Sequence, residues 1–501
     1  MHNRLRVVRG HGPADGCYLH ARFRRFVHAH DPWLLTSVPE LRRLAYQRYD
    51  IAVAECDEVV PLPPRFRVRV SKPRLAAHVA RAVIESRGDL EVALSRPCVY
   101  GTFSRPVGGM APIEDKCVGC LRCMVEYPGM VRVERNPARA GFGGMLGPDE
   151  TETILYEART GGVPVRGAGF RGAFGGSGWE GIWLDMSEIV RPTRDGIHGR
   201  EYISTTVDLG SAPTFLQLDA DGRPTGPLPR FFPLDVPFLF DAGPVAGYSP
   251  LVAGALLAAA RRIGSLAIVP AAHLPADTTD LRGVLPRVGP GELELLDRLP
   301  PGIPLVELDG WDGPAHGQLR RRDPDSLVAV RVPADADTVD LVRRGVEIVH
   351  LDAGPDGWVG GSFVDELIRR AHLGLVEAGL RERVTLLGSG GVVAAEHVPK
   401  AIACGLDAVV LDQPLWAALQ GRPASRPTGR GPVAFPAFRP EWGTQRLVNL
   451  AGAWRSQLLE VMGAMGMREV RRLRGELGRC MFQAELEREA FAGMGVDGDG
   501  A

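Results

Sequence analysis

Val384 to Leu419 reads VTLLGSGGVVAAEHVPKAIACGLDAVVLDQPLWAAL, and the period of its apolar residues decides the fold. Val384–Leu387 is an apolar run too short for a helix and is read as a strand. Gly388-Ser389-Gly390-Gly391 follows as a sharp turn, because glycine accepts a positive φ without steric cost. Ala394–Ala403 has helical character and is closed by Gly405, a natural C-cap. Ala408–Leu411 is a second buried strand. Two short apolar strands joined by a helix make a parallel βαβ unit. A Gly-rich turn leading from a strand into a helix N-terminus can cradle a phosphate on its backbone N–H groups. The alternative is that these glycines only make a tight turn.

The same alternation runs back to Phe238. Candidate strands are Phe238–Asp241, Leu266–Val269, Gly283–Leu285, Leu305–Leu308, Leu327–Val332, Ile348–Asp352, Val384–Leu387 and Ala408–Leu411. Helical stretches such as Pro250–Ile263, Thr338–Arg344 and Phe363–Glu377 lie between them. Eight strands with seven or eight helices predict an α/β fold, a (β/α)8 TIM barrel, with its active site at the C-terminal strand ends. Asp241, Arg331, Asp352 and the Gly388–Gly391 turn fall at those ends.

A chain of 501 residues is too long for one core. Its formal net charge of -1 gives no reason to expect a nucleic acid or an anionic membrane as partner. No apolar run reaches the ~18 residues of a membrane span; Leu251–Ala260 comes nearest and is ended by Arg261-Arg262. The opening MHNRLRVVRGHG has no apolar signal-peptide core, so a cytoplasmic location is expected. His2, not Cys, follows Met1, so no N-terminal-nucleophile amidotransferase domain is expected.

Cys117-Val-Gly-Cys120-Leu-Arg-Cys123 is a C-x2-C-x2-C run. A single C-x2-C pair suits zinc or redox chemistry, whereas three cysteines at this spacing are the signature of an iron–sulfur cluster. The bacterial ferredoxin run continues with x3-C-P, and here Tyr127-Pro128 keeps the proline without the cysteine. In two-cluster ferredoxins that cysteine serves the other cluster. Its loss therefore predicts one cluster. Cys98 stands upstream at a spacing like that between two ferredoxin half-motifs, so Cys98, Cys117, Cys120 and Cys123 are the expected ligands of one [4Fe–4S] cluster. The alternatives are a structural zinc site or metal-free thiols. Cys17, Cys56, Cys404 and Cys480 are scattered, and Cys404 reads as core.

Other segments carry weaker signals. Ala21–Phe26, Val38–Tyr49 and Pro73–Glu85 read as helices and Phe66–Val70 as a strand. Gly167 to Gly172 matches G-x-G-x-x-G, but Gly175, Gly176 and Gly178 prevent the helix that a dinucleotide site needs, so a loop is expected. Arg191, Arg194, His198 and Arg200 are expected in surface ion pairs. Gln445–Phe491 reads as amphipathic helix, with Met462, Met465 and Met467 packing. The expected organisation is an α+β region over 1–95, a ferredoxin-like [4Fe–4S] module over 96–140 and a Gly/Pro-rich connection over 141–230. The barrel follows over 231–425, and a helical extension over 440–495.

The C-x2-C-x2-C run, the barrel segment RVTLLGSGGVVAAEHVPKAIACGLDAVV and the tail segment MGAMGMREVRRLRGELG together resemble the FMN-binding glutamate synthase family, in a stand-alone form with a ferredoxin-type module. The barrel's resemblance covers roughly Asp185 to the C-terminus. It implies a barrel that binds FMN and reduces 2-iminoglutarate, formed from 2-oxoglutarate and ammonia, to glutamate. It places Gly388, Ser389, Gly390 and Gly391 at the FMN phosphate, and Asp241 and Gly243, at the end of the first strand, are further cofactor-binding candidates. Arg331 stands where the family usually has a lysine near the flavin N1 and C2 carbonyl, and Arg331 and Asp352 become the catalytic candidates. The electron donor expected is a ferredoxin or a pyridine-nucleotide-dependent subunit. Several segments depart from the family pattern. Asp241-Ala-Gly243 replaces a Ser-Phe-Gly-Ala type sequence, and Asp352-Ala-Gly354-Pro replaces His-Asp-Gly-Gly-Thr-Gly. Asp412 stands where a glycine usually approaches the phosphate. The competing expectation is a non-catalytic barrel, a subunit or assembly partner without flavin chemistry.

Overall fold

The computed structural model describes residues 49–85, 87, 98–105, 110–139, 145–164, 175–186, 203–210, 218–223, 225, 230–241, 243, 249–274, 278, 280–423 and 433–490. Eight parallel strands close into a barrel. They are β1 (Phe238–Asp241), β2 (Ala267–Pro270), β3 (Val284–Val288), β4 (Leu305–Asp309), β5 (Leu327–Pro333), β6 (Ile348–Asp352), β7 (Thr385–Ser389) and β8 (Ala408–Leu411). β8 pairs with β1, Val409 opposite Phe238, so the sheet has no edge. Each of the eight predicted strands is present, with small shifts at the ends.

Some of the helices start on a side-chain cap. α1 (Pro250–Arg262) starts with Ser249, whose hydroxyl accepts from the Leu251 N–H, and has Pro250 at its first position. α2 (Gly313–Arg322) and α3 (Thr338–Arg343) are capped by Asp312 and Asp337. α4 (Val364–Glu377), α5 (His397–Cys404), α6 (Gln413–Ala418) and α7 (Pro440–Ala464) follow. The expectation of seven or eight helices is corrected. Among the described residues, β2 and β3 lead only into 3-10 turns, Ala271–His273 and Leu293–Arg298. Gly289-Pro290-Gly291 and Pro300-Pro301 bound the segment after β3, which holds only the 3-10 turn Leu293–Arg298.

α7 packs on α1 and on the helix Pro148–Thr160, where the Trp454 indole N–H donates to buried Glu157 at 2.8 Å. The continuous helix expected to Phe491 is also corrected. It stops at Ala464 and continues as 3-10 turns, a strand Cys480–Phe482 and a helix Gln483–Ala490. Gly466 and Gly475 lie in the left-handed region and interrupt it. Met462 and Met465 are buried, as packing residues should be. The N-terminal end of the barrel is covered by the hairpin Val207–Gly210 with Phe231–Leu234, tied to β7 by Thr385, whose hydroxyl donates to the Gly210 carbonyl at 2.8 Å.

Phe66–Val70 pairs antiparallel with Val131–Arg135, so the cysteine segment is flanked by strands on both sides of residue 95. The predicted helices before Tyr49, the Gly167–Gly172 run and Arg191, Arg194, His198 and Arg200 lie outside the described residues. No described helix is long and apolar enough to cross a membrane.

Candidate active site

Alternation along the strands turns residues two apart to the same face. At the C-terminal end of this barrel that face carries charge. Arg331 on β5 donates to Asp241 on β1 at 2.6 Å and to Asp352 on β6 at 2.9 Å. Arg287 on β3 donates to the same Asp241 oxygen at 3.1 Å. Burial pushes Asp241 up, but the two guanidinium groups outweigh it and hold the carboxyl at about 2. Asp352 is likewise held below its ordinary value, its burial outweighed by Arg331. Arg331, with its side chain 9% exposed, is pulled further up by Asp241, Glu307 and Asp352 against its desolvation. It is a fixed cation.

A second chain of contacts lies deeper. His350 Nδ1 is 2.6 Å from Glu307 Oε1, and Nε2 is 3.0 Å from the Ser389 hydroxyl. Ser389 donates to Asp352 Oδ1 at 2.9 Å, joining this chain to the Arg331 group. Glu307 Oε2 is buried without a hydrogen bond and faces Arg331 at 3.9 Å. Of the sequence candidates, the structure brings Asp241, Arg331, Asp352 and Ser389 together. Arg287, Glu307 and His350 were missed. Their signal was present: a charged residue inside the apolar runs VLPRV and LVELD, and His350 two before Asp352 on the same face.

The Gly-rich turn serves contacts within the chain. A Cβ on Gly388 would lie 2.5 Å from Leu406, so this glycine admits a core leucine. Gly390 has φ +103°, and a Cβ there would lie 2.2 Å from the Gly354 carbonyl oxygen. The Gly391 N–H donates to the Pro355 carbonyl at 3.3 Å, and the Val393 N–H donates to His397 Nδ1 at 3.2 Å. The turn is thus pressed against the loop after β6, and in this conformation those two donors do not fit a phosphate. Gly390→Ala should destabilise by at least about 2 kcal/mol, from positive φ and backbone collision together. Chemical denaturation checks this, and a loss under half that size would remove the collision. The Gly243 N–H donates to Asp241 Oδ1 at 2.8 Å. Asp412 follows β8 and caps α6, accepting from the Gln413 N–H at 2.6 Å. Burial raises its carboxyl to about 7, and Asp241 and Asp352 add to the rise. Residues 244–248 and 275–277, which follow β1 and β2, lie outside the described residues.

The second candidate site is separate. Cys98, Cys117, Cys120 and Cys123 line one cavity, together with Val68, Phe103 and Val133. The short helix Arg122–Glu126 begins after Leu121, which holds φ 59° within the C-x2-C-x2-C loop. Burial pushes the Cys123 thiol to about 11, with the other three cysteines adding to the rise. Cys117 is raised for the same reasons. Burial also pushes Cys98 up, but hydrogen bonds from Thr102 and neighbouring backbone outweigh it. Thiols in one apolar cavity that oppose each other's ionisation are a donor set suited to a cationic centre. No group of three or more His, Cys, Asp or Glu among the described residues is arranged to hold a metal ion.

A curated archaeal-type glutamate synthase [NADPH] from Dehalococcoides mccartyi is 25% identical over 438 residues, 72% of this chain and 86% of the relative. The chain is a homologue of the archaeal-type glutamate synthases. An archaeal glutamate synthase [NADPH] from Archaeoglobus fulgidus is 24% identical to this homologue, covering 80% of this chain and 91% of its own. One from Thermotoga maritima is 23% identical over 81% and 92%. No family model matches. Among solved structures, a flavocytochrome b2 variant with pyruvate bound covers 68% of this chain and 80% of its own, at 10% identity and a TM-score of 0.39. A mandelate oxidase variant with a monooxide FMN adduct covers 54% and 86%, at 16% identity and a TM-score of 0.35.

Proposed function

We propose that this glutamate synthase homologue is an iron–sulfur flavoprotein oxidoreductase. The observation that carries the reading is the convergence of Cys98, Cys117, Cys120 and Cys123 on one cavity. Four thiols in one loop-and-strand module are the donor types of a [4Fe–4S] cluster, which they would hold as thiolates and which would pass single electrons. The donor we propose is a ferredoxin or a pyridine-nucleotide-dependent subunit, in keeping with the NADPH in the relatives' names. FMN in the barrel, when bound, supplies hydride transfer to an imine such as 2-iminoglutarate. The chain's own part there is electrostatic: Arg331 is a permanent cation in the mouth, and Asp352 and Ser389 hold a hydrogen-bonded edge beside it. The Gly391 and Val393 N–H groups, however, already have acceptors within the chain. That observation favours the second reading, a barrel without flavin chemistry acting as a subunit or assembly partner.

Anaerobically purified protein should contain about four iron and four sulfide per chain. Cys98→Ser should lower the iron content or leave a three-iron centre visible by EPR. Unchanged iron and EPR in that variant would remove Cys98 as a ligand, and zinc in place of iron would sink the cluster assignment. A flavin absorption spectrum in the same sample separates the two barrel readings. Its absence, with no binding of added FMN, would establish the second.

A further inference from the structure

Glu307 on β4 and His350 on β6 come from alternate strands, which fill one layer of a barrel interior. Both are fully buried. The partners of His350 fix its tautomer. Arg331 donates to Asp352 Oδ2 through both Nε and Nη2, so Asp352 is a carboxylate and only accepts. Ser389 stands opposite Asp352 in the β6–β7 register and uses its one O–H on Asp352 Oδ1. His350 Nε2, 3.0 Å from the Ser389 oxygen, must therefore carry a proton and donate it. On the other side of the ring, Nδ1 and Glu307 Oε1 are 2.6 Å apart, so a single proton lies between them. Glu307 Oε2 faces Arg331 at 3.9 Å without a hydrogen bond, and Arg287, opposite Glu307 in the β3–β4 register, binds Asp241. An unbroken chain of four groups thus leads from the closed interior to Asp352, whose side chain is 30% exposed at the mouth.

We propose that Glu307, His350, Ser389 and Asp352 form a relay that carries one proton between the barrel interior and the mouth. In the outward direction the Nε2–H bond of His350 breaks and its proton joins the Ser389 oxygen, as the Ser389 proton passes to Asp352 Oδ1. The proton shared with Glu307 then lies on Nδ1, which leaves the imidazole neutral and Glu307 a carboxylate. The interior pair has lost one proton, and Asp352 has become a carboxylic acid that can give it to an acceptor in the mouth. A proton from solvent on Asp352 reloads the pair by the reverse path. Arg331 keeps Asp352 ionised at rest, so the proton stays inside until it is drawn out. An imine reduced to an amine takes up a hydride and a proton, and that use of the relay rests on the function proposed above. Proton movement along the chain does not.

The whole protein, labelled with heavy nitrogen in its histidine rings, is followed by proton NMR in water. The expected spectrum has a far-downfield proton on His350 Nδ1, identified by its loss in Glu307→Gln, and a second proton on Nε2. Exchange of the Nδ1 proton with water is then measured by saturation transfer. Ser389→Ala should slow it at least about tenfold, because the buried pair loses its path to the mouth and is left with local opening. If Ser389 only braces the structure, its removal loosens the site and exchange becomes faster. Faster or unchanged exchange in Ser389→Ala overturns the relay. So does a wild-type Nε2 without a proton, a readout that needs no variant to fold. None of these measurements needs a flavin, so the relay and the flavoprotein reading fail separately.

Discussion

Arg331→Met should lower the unfolding free energy by about 3–5 kcal/mol, the cost of removing one partner from a buried ion group. Arg331 bridges Asp241 and Asp352, and the Asp241 side chain is only 2% exposed. Arg287 stays beside Asp241, so Asp352 loses more of its compensation. Urea denaturation at neutral pH measures the loss. The same variant separates the two roles of the residue. A stability loss below about 1 kcal/mol, with a lowered flavin midpoint potential, would mean that the cation serves a bound flavin more than the ion group. If flavin is present and its potential does not move, Arg331 is not part of its chemistry.

Asp412→Asn should stabilise the protein at pH 8 and leave it unchanged near pH 3. Burial raises the Asp412 carboxyl from 3.8 to about 7, so between those values the native state holds a proton that the unfolded chain has released. Stability conferred by the protonated form is therefore complete below pH 3.8, falls as pH rises, and is lost by about pH 7. At roughly 1.4 kcal/mol per pH unit the difference reaches about 4 kcal/mol at most. Asparagine removes the titration and keeps the cap, since its side-chain oxygen also accepts from the Gln413 N–H. Thermal or urea unfolding from pH 3 to 8 follows it, and an equal gain at both ends would refute the titration.

The barrel was legible in the sequence because parallel strands buried on both faces are short apolar runs, and each run from Phe238 to Leu411 is bounded by Gly, Pro or a helical stretch. That Cys117, Cys120 and Cys123 share a cavity follows from the sequence because they lie in one loop, where spacing alone brings side chains together. The Gly388–Gly391 turn shows the limit of that reading. A sequence says that glycine permits an unusual φ, and not which neighbour needs the space. Here Leu406 and the Gly354 carbonyl occupy it. The paths of the loop after β6 and of α5 use the Gly391 and Val393 N–H groups. The ion group is tertiary for the same reason. Asp241, Arg287, Glu307, Arg331, His350 and Ser389 come from separate strands, and only closure of the barrel sets their distances and strips the water that would otherwise screen them. Residue types and strand periods belong to the sequence, whereas partners and protonation states belong to the closed fold, because both depend on distance and burial.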